Sequence, residues 1–168
     1  MSERTPFVEM RGITKSFRNV PANDRVDFEI FRGEAHALLG ENGAGKSTLM
    51  KILYGFYQPD SGEILLDGEA VSIRSPRDAR KLGIGMVFQD FNQVPAMTVA
   101  ENIALFLPGL PFLLGKAGVA ARIVEVSRRY GLEVDPSRTV GGLSVGERQK
   151  IEILKLLLAD ARILILDE

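Results

Sequence analysis

The first half of the chain shows the alternation of apolar and polar positions that is typical of short strands. Val26 to Ile30 (VDFEI) alternates apolar and acidic residues, as a strand with one buried face does. Glu63 to Leu66 is followed by Asp67-Gly68, which predicts a strand that enters a hairpin. The N-terminal part is therefore expected to be rich in β-structure.

Three further apolar runs are also predicted to be strands. Ala35 to Leu39 (AHALL) ends in a glycine-rich loop, and Ser47 to Tyr54 after that loop has helical spacing, so we expect a strand, a loop and a helix. Gly85 to Phe88 (GMVF) is a shorter candidate. Ile163 to Leu166 (ILIL) is uninterrupted, as expected of a parallel strand covered on both faces.

Three helix starts carry the pattern of a capping box, in which Ser or Thr is followed three places later by an acidic residue. They begin at Ser75, Thr98 and Ser144. A fourth, amphipathic helix is predicted from Ala121 to Tyr130, before Gly131. The order of elements, with a β-rich start, a helical middle and a last buried strand, indicates an α/β fold with a helical insertion.

Composition and charge narrow the possible functions. The 168 residues are 45% hydrophobic and 26% charged, which is typical of a globular protein with a sizeable core. Lys and Arg total 21 against 22 Asp and Glu, so the net charge of −1 gives no general reason to bind nucleic acid or an anionic membrane surface. There is no Cys, which excludes disulfides and thiolate metal sites.

The most apolar run of the chain is Ile103 to Leu114 (IALFLPGLPFLL). It is too short to cross a bilayer, which takes about 20 residues, and prolines interrupt it. We interpret it as a core or loop segment or, alternatively, as an apolar contact surface for a partner. Met1 to Arg18 is too polar for a secretory signal.

Gly40 to Ser47 (GENGAGKS) matches the phosphate-loop pattern G-x-x-x-x-G-K-[ST]. Glycines let such a loop curl so that backbone N–H groups reach phosphate, and the following helix adds partial positive charge. Lys46 is expected to hold the β- and γ-phosphates of ATP, the Ser47 hydroxyl to bind Mg²⁺, and Thr48 to contact the α-phosphate. The alternative is a glycine-rich turn without a ligand. The residues predicted to bind the nucleotide here are Gly40, Glu41, Asn42, Gly43, Ala44, Gly45, Lys46, Ser47 and Thr48.

Asp167 and Glu168 follow the run ILIL at its carboxyl end. Open α/β sheets bind ligands at the edge formed by the carboxyl ends of their strands. Asp167 is expected to hold Mg²⁺, directly or through water. Glu168 is expected to orient or deprotonate the water that attacks the γ-phosphate. Taken alone, the same residues would be two solvated acids after a strand.

Together, the segments GENGAGKST, LSVGERQ and ILILDE resemble the nucleotide-binding domain of the ATP-binding cassette (ABC) transporter family. LSVGE, from Leu143 to Glu147, is similar to the LSGGQ signature of that family. The resemblance covers essentially the whole chain and implies a P-loop NTPase core with an N-terminal antiparallel β subdomain and an inserted α-helical signature subdomain. It places the β subdomain and P-loop core at about 1–97, the helical subdomain at about 98–159 and the acidic strand at 160–168.

In that family two domains meet head to tail, and the signature of one closes over the γ-phosphate held by the other. The resemblance thus implies a dimer of nucleotide-binding domains. Ser144 and Gly146, at a helix N-terminus, would present a hydroxyl and backbone N–H groups to that phosphate. Val145 replaces the usual second glycine, and Glu147, in place of the usual glutamine, would add negative charge near phosphate. Without the family, the segment is an ordinary capped helix.

Two single residues gain a role from the resemblance. Gln89 matches the family's glutamine loop, which touches Mg²⁺ and moves against the membrane subunit. It joins Glu168 as an expected catalytic residue, and Ser47 and Asp167 as an expected metal ligand. Phe17 fits the position where an aromatic ring stacks on adenine, and without the family it would be a core residue. The family's switch histidine would follow Glu168, so these residues alone are expected to form an incomplete ATPase.

SGEILLDG, SPRDARKLGIGMVFQ and VPAMTVAENIAL are similar to importers of simple sugars and nucleosides. This likeness implies an ATPase subunit that uses Mg-ATP to drive import of a small polar solute. Its partners would be a second nucleotide-binding domain, transmembrane permease subunits and a solute-binding protein, with no nucleic acid. It would lie peripherally at the cytoplasmic face of the plasma membrane. Two alternatives stay open: a soluble cassette protein of DNA repair or translation, and a nucleotide-binding module without turnover.

Overall fold

The computed structural model describes residues 5–88, 92–107 and 116–167, and the chain divides into two compact units between Leu82 and Gly83. Within the described ranges, the first unit contains a four-stranded antiparallel sheet and the second a two-stranded parallel sheet. The boundaries predicted from the sequence for three subdomains stay a prediction.

The first unit combines its sheet with two helices, and its strands lie in the order β2-β1-β3-β4. The elements are β1 (Val8–Phe17), β2 (Val20–Ile30), α1 (Lys46–Leu53), β3 (Ser61–Leu66), β4 (Glu69–Val71) and α2 (Pro76–Lys81). The predicted β-rich start is confirmed, because β2 and the β3–β4 hairpin form where the alternating pattern placed them.

The buried face of β1 fixes the register of this sheet. Val8 lies opposite Ile30 of β2 and Leu66 of β3. Val8 and Met10 are both completely buried. A shift of one residue would turn these side chains towards solvent, so the burial of alternate residues selects one register.

The second unit packs three helices together and places one of them on the parallel sheet. The elements are β5 (Ile84–Val87), α3 (Val99–Phe106), α4 (Lys116–Arg129), a short 3₁₀ helix (Val140–Gly142), α5 (Val145–Leu158) and β6 (Ile163–Leu166). The core contains buried side chains from these three α-helices and from the 3₁₀ helix: Val99, Ile103, Val119, Ile123, Val140, Ile151, Leu154 and Leu158. The predicted helical middle and the parallel pairing of the last strand are confirmed.

All three predicted capping residues begin helices. Ser75 caps α2, Thr98 caps α3 and Ser144 caps α5, and each side chain accepts a hydrogen bond from the N–H three residues later. In α3 and α5 the acid at that position also accepts from the backbone N–H of the cap. These bonds satisfy donors that the first turn of a helix leaves unpaired, which is why the starts could be predicted from local sequence.

Two of the strand predictions are wrong, one entirely and one in part. Ala35 to Leu39 forms no strand, and Leu39 is 90% exposed. A strand needs the backbone of a neighbour for its hydrogen bonds, and in the first unit this segment joins none of the four strands. β6 forms as predicted, but it is covered on one face: Ile163 and Ile165 are buried, whereas Leu166 is 63% exposed.

The long apolar run lies partly outside the described residues, which stop at 107 and resume at 116. In its described part, Ile103 is buried in the helical core and Leu105 is 67% exposed. This part therefore contributes both to the core and to the surface. Among the residues that the structure describes, no helix combines the length and hydropathy needed to cross a membrane.

A buried polar cluster ties the segment before α3 to α5. The ammonium of Lys155, whose side chain is 3% exposed, donates to the Glu152 carboxylate at 2.8 Å and to the Asn92 carbonyl at 3.3 Å. The Gln93 amide donates to the same carboxylate at 2.7 Å and to the Arg148 carbonyl at 2.8 Å. A buried charge is tolerated when it is paired, and Glu152 supplies the counter-charge of Lys155. The same carboxylate also holds Gln93, in the segment before α3.

Replacing Glu152 with Ala should therefore lower the free energy of unfolding by about 3–5 kcal/mol, since the ammonium of Lys155 stays buried without its counter-charge. Urea unfolding followed by circular dichroism measures the loss. Glu125→Ala, at an exposed position of α4, is the matched control and should change stability by less than about 0.5 kcal/mol. Equal stability of the two variants would contradict the structural role of Glu152.

Candidate functional site

The predicted phosphate loop is an irregular segment, residues 40–45, that is largely exposed and leads directly into α1. Gly43 and Gly45 have positive φ angles of 86° and 83°, and Gly45 is the N-cap of the helix. Glycine adopts this left-handed conformation without the clash that a Cβ would cause. The expected arrangement of loop and helix is confirmed, although the strand expected before it is absent.

Gly45 packs directly on β2. A Cβ at this position would lie 2.1 Å from the carbonyl oxygen of Ala22 and 2.7 Å from the side-chain nitrogen of Asn23. The Asn23 amide donates to the Gly45 carbonyl at 3.3 Å, and the same carbonyl accepts the N–H of Leu49 in α1 at 2.9 Å. The strand thus supports the loop at the residue where the helix begins.

No sequence motif marked Asn23 as a residue of the site. It is 5% exposed, and its Oδ1 atom has no hydrogen-bond partner among the described residues. The available signal was a polar residue inside a strand, but such a residue usually faces solvent and gives no sign that it lies beneath a loop.

Lys46 folds back over the loop. Its ammonium donates to the carbonyl oxygens of Gly40 at 2.8 Å and Glu41 at 2.9 Å. A Cβ at Gly40 would lie 3.4 Å from the Cβ of Ala44 and 3.7 Å from the Cδ of Lys46, which are ordinary van der Waals distances. An open loop at a helix N-terminus, with an ammonium beside it, fits a phosphate group.

The Ser47 hydroxyl, at the start of α1, suits a magnesium ion that is bound together with phosphate. Ser47, the second residue of α1, is exposed, and Thr48 is half-buried. Mg²⁺ prefers oxygen ligands and usually shares them between a protein side chain, water and phosphate. No cluster of three or more His, Cys, Asp or Glu that could hold a metal occurs within the described ranges.

Phe17, at the end of β1, is 40% exposed, so the alternative interpretation as a core residue is wrong. Its ring meets the Tyr57 ring edge to face, with centroids 5.0 Å apart at 71°. The ammonium of Lys15 lies 5.7 Å from the centroid of the same ring and pairs with Asp60 at 2.7 Å. These neighbours hold an exposed ring that is able to stack on a planar base. Tyr57 follows α1, and no pattern in the sequence marked it.

Asp167 lies at the carboxyl end of the parallel sheet. It follows β6 directly, and its backbone N–H donates to the carbonyl of Val87, the last residue of β5, at 3.3 Å. This is the edge of the sheet where the sequence placed it. Gln89 and Glu168 were predicted to act next to these strand ends, but both lie outside the described residues, so their roles stay predictions.

The segment that resembles a signature begins α5. Ser144 is the N-cap, and an added Cβ at Gly146 would meet no atom within 4 Å, so the first turn of the helix is open on that side. Glu147 turns back onto the cap: one carboxylate oxygen accepts from the Ser144 N–H at 2.8 Å and from its hydroxyl at 2.9 Å. The other oxygen is bound by the guanidinium of Arg138, which the sequence did not single out.

These contacts keep Glu147 ionised. Its pKa is lowered, first by the hydrogen bond from the Ser144 backbone N–H, then by the Ser144 hydroxyl and the Arg138 guanidinium. A carboxyl whose pKa is lower in the folded than in the unfolded state stabilises the fold above its ordinary pKa, and this contribution is lost as the pH falls through the folded value. At neutral pH the cap of α5 therefore carries a paired negative charge.

Comparison with known proteins gives a consistent result. The family model described as ABC transporter matches residues 23–168. Ribose import ATP-binding protein RbsA 1 of Rubrobacter xylanophilus is 54% identical over 164 residues, which cover 97% of this chain and 33% of that protein. Guanosine import ATP-binding protein NupO of Bacillus subtilis is 48% identical over 162 residues, which cover 96% and 32%. This chain thus spans about a third of the length of the curated relatives it matches.

A solved structure also matches nearly the whole chain. The structure of cbiO1 from Clostridium perfringens, part of the ABC transporter complex cbiONQ, matches with a TM-score of 0.81 at 29% identity, over 98% of this chain and 66% of that one. The predicted fold class is thereby confirmed: α/β, with a P-loop NTPase core, an N-terminal antiparallel β subdomain and an inserted helical subdomain.

Gly45→Ala should destabilise the protein more than Gly33→Ala. Both glycines have positive φ angles, of 83° and 75°, so each alanine adds strain of about 1–2 kcal/mol. A Cβ at Gly33 would meet no atom within 4 Å, whereas a Cβ at Gly45 would overlap the Ala22 carbonyl. Urea unfolding of the two variants measures the difference, and equal losses would contradict the close packing of the loop on β2.

Proposed function

The chain belongs to the ABC transporter family, and we propose that it binds Mg-ATP and hydrolyses it to drive import of a small polar solute, a sugar or a nucleoside, through a membrane permease. The observation that carries the proposal is the phosphate loop: Gly45 is packed on β2, and Lys46 lies over the loop at the start of α1. The family match and the names of the import proteins it resembles support the transport role.

ATP binding would use groups that are already arranged around the loop. The ammonium of Lys46 exchanges two carbonyl oxygens for oxygens of the β- and γ-phosphates, which carry more charge. The Ser47 hydroxyl ligates Mg²⁺, which neutralises charge on the phosphates. Thr48 contacts the α-phosphate, and the exposed face of Phe17 receives the adenine.

Hydrolysis would depend on the carboxyl end of the parallel sheet. Asp167 would hold Mg²⁺ directly or through water, and Gln89 would contact the same ion. Glu168 orients or deprotonates the attacking water, which lets the water reach the γ-phosphate as a better nucleophile. None of these roles needs a side chain to form a covalent intermediate.

The proposed partners follow from the way such domains work. A second nucleotide-binding domain would place its Ser144 and Gly146 over the γ-phosphate bound here, where a hydroxyl and a helix N-terminus favour negative charge. Transmembrane permease subunits would receive the motion, and a solute-binding protein would deliver the solute. The protein would lie peripherally at the cytoplasmic face of the plasma membrane. Relatives named for import support this assignment over a role in DNA repair or translation.

Replacing Lys46 with Ala should weaken ATP binding by at least about tenfold, because a charged hydrogen-bond donor to phosphate is lost. Isothermal titration calorimetry with ATP measures the affinity of the full-length protein. Lys81→Ala, on α2 of the same unit, removes an exposed lysine and should leave the affinity unchanged. Unchanged affinity in the Lys46 variant would refute the phosphate loop assignment.

Glu168→Gln should keep ATP binding and reduce turnover by about 10²–10⁴-fold, since the amide cannot accept the proton of the attacking water. Phosphate release by the full-length protein gives the rate, and calorimetry gives the affinity. Glu69→Gln, at an exposed position of β4, serves as the matched control. Full hydrolysis by Glu168→Gln would show that this residue is not the base, whereas a wild-type protein that binds ATP without turnover would support the alternative of a binding module.

A further inference from the structure

An acidic side chain stands at the helix end that the proposed function assigns to the γ-phosphate. Glu147 is the third residue of α5 and follows Gly146 directly. A carboxylate stabilises a helix N-terminus, but it also repels any phosphate that approaches the same N–H groups. If Ser144 and Gly146 receive phosphate, the charge of Glu147 must be compensated.

The structure shows how the carboxylate of Glu147 is held. One of its oxygens accepts the N–H and the hydroxyl of Ser144 at 2.8 and 2.9 Å. The other oxygen is bound by Nη1 of Arg138, and Nη2 of the same guanidinium lies 3.4 Å from the Gly142 carbonyl oxygen. The carboxylate is thus drawn back over the cap and paired with a cation.

The backbone of Arg138 is fixed by the start of α3. Its carbonyl accepts the N–H of Val99 at 3.0 Å, and its own N–H donates to the carbonyl of Asp135 at 3.3 Å. Two residues further on, the N–H of Val140 donates to the carbonyl of Met97 at 3.0 Å. The side chain of Arg138 therefore starts from a backbone that is hydrogen-bonded to the start of α3, and the Gly142 carbonyl gives its guanidinium a second contact besides Glu147.

Other charges near Arg138 are acidic. The side chains of Glu133, Asp135, Arg138 and Glu147 line one surface depression of about 260 Å³. The Asp135 carboxylate is already bonded by the N–H and hydroxyl of Ser137, at 2.9 and 2.7 Å. Without the guanidinium, the carboxylate of Glu147 at the start of α5 would have no cation paired with it.

We propose that Arg138 is a positioning residue for γ-phosphate recognition: it pairs with Glu147 and holds the carboxylate over the cap, so that the N-terminus of α5 can receive phosphate. This inference rests on the proposed function. The phosphate is the γ-phosphate of ATP bound at the facing domain. Arg138 should therefore affect the response to ATP and not the binding of ADP, which has no γ-phosphate. Arg138 itself does not touch the nucleotide.

The test is the ATP concentration that gives half-maximal hydrolysis in the full-length protein, measured with Arg138→Gln, Glu147→Gln and the double variant. Arg138→Gln should raise it about two- to fivefold, the range expected from losing an exposed ion pair. In the Glu147→Gln background the same substitution should have little effect, because the carboxylate that Arg138 pairs with at the cap is gone. Glutamine still serves as the acceptor of a capping box, so α5 keeps its start.

The affinity for ADP distinguishes this role from a purely structural one, because a structural defect would lower the ADP affinity as well. ADP has no γ-phosphate, so its affinity in calorimetry should be the same with and without Arg138→Gln. Arg138→Lys keeps the positive charge and should stay close to the unaltered protein. Arg11→Gln removes an arginine of β1 that is paired with Glu9, and should change neither value.

Three results would overturn the assignment of Arg138: an unchanged ATP requirement in Arg138→Gln, a defect that persists in the Glu147→Gln background, or an equal loss of ATP and ADP affinity. Failure of the proposed function would give different results. In that case the unaltered protein would not hydrolyse ATP, or Lys46→Ala would bind ATP normally, and the inference about Arg138 would fall with it.

Discussion

The first unit depends on one close contact, the packing of Gly45 against β2. The backbone of β2 leaves no room for a Cβ at this position, and the Asn23 amide binds the Gly45 carbonyl. The contact fixes the place where the loop ends and α1 begins. Because the helix N-terminus and the loop must face the same ligand, everything proposed for phosphate binding depends on this arrangement.

The second unit is governed by the pairing of charges on α5. At its start Glu147 is held by Ser144 and Arg138, and in its last turns the buried Lys155 is held by Glu152. The first pair is exposed and contributes little to stability. Its effect is to hold the carboxylate of Glu147 over the cap of α5. The second is buried and secures Asn92 and Gln93, in the segment before α3.

Elements with local causes were predictable, and elements with distant partners were less so. The three capping boxes depend on residues three positions apart, so Ser75, Thr98 and Ser144 were found without knowing the fold. A strand depends on a neighbour that is distant in sequence. The apolar composition of Ala35 to Leu39 was therefore insufficient, since no strand pairs with it in its own unit.

The sequence by itself determined the phosphate-loop pattern, the acidic strand end and the signature-like segment, because each consists of particular residue types at short spacing. It also determined the α/β class, which follows from the order of the predicted elements. The tertiary structure alone decided that Asn23 supports Gly45, that Tyr57 meets Phe17 and that Arg138 pairs with Glu147. Asn23 and Gly45 are brought together by folding from 22 positions apart. Contacts of this kind depend on how strands and helices pack, so local sequence patterns do not predict them.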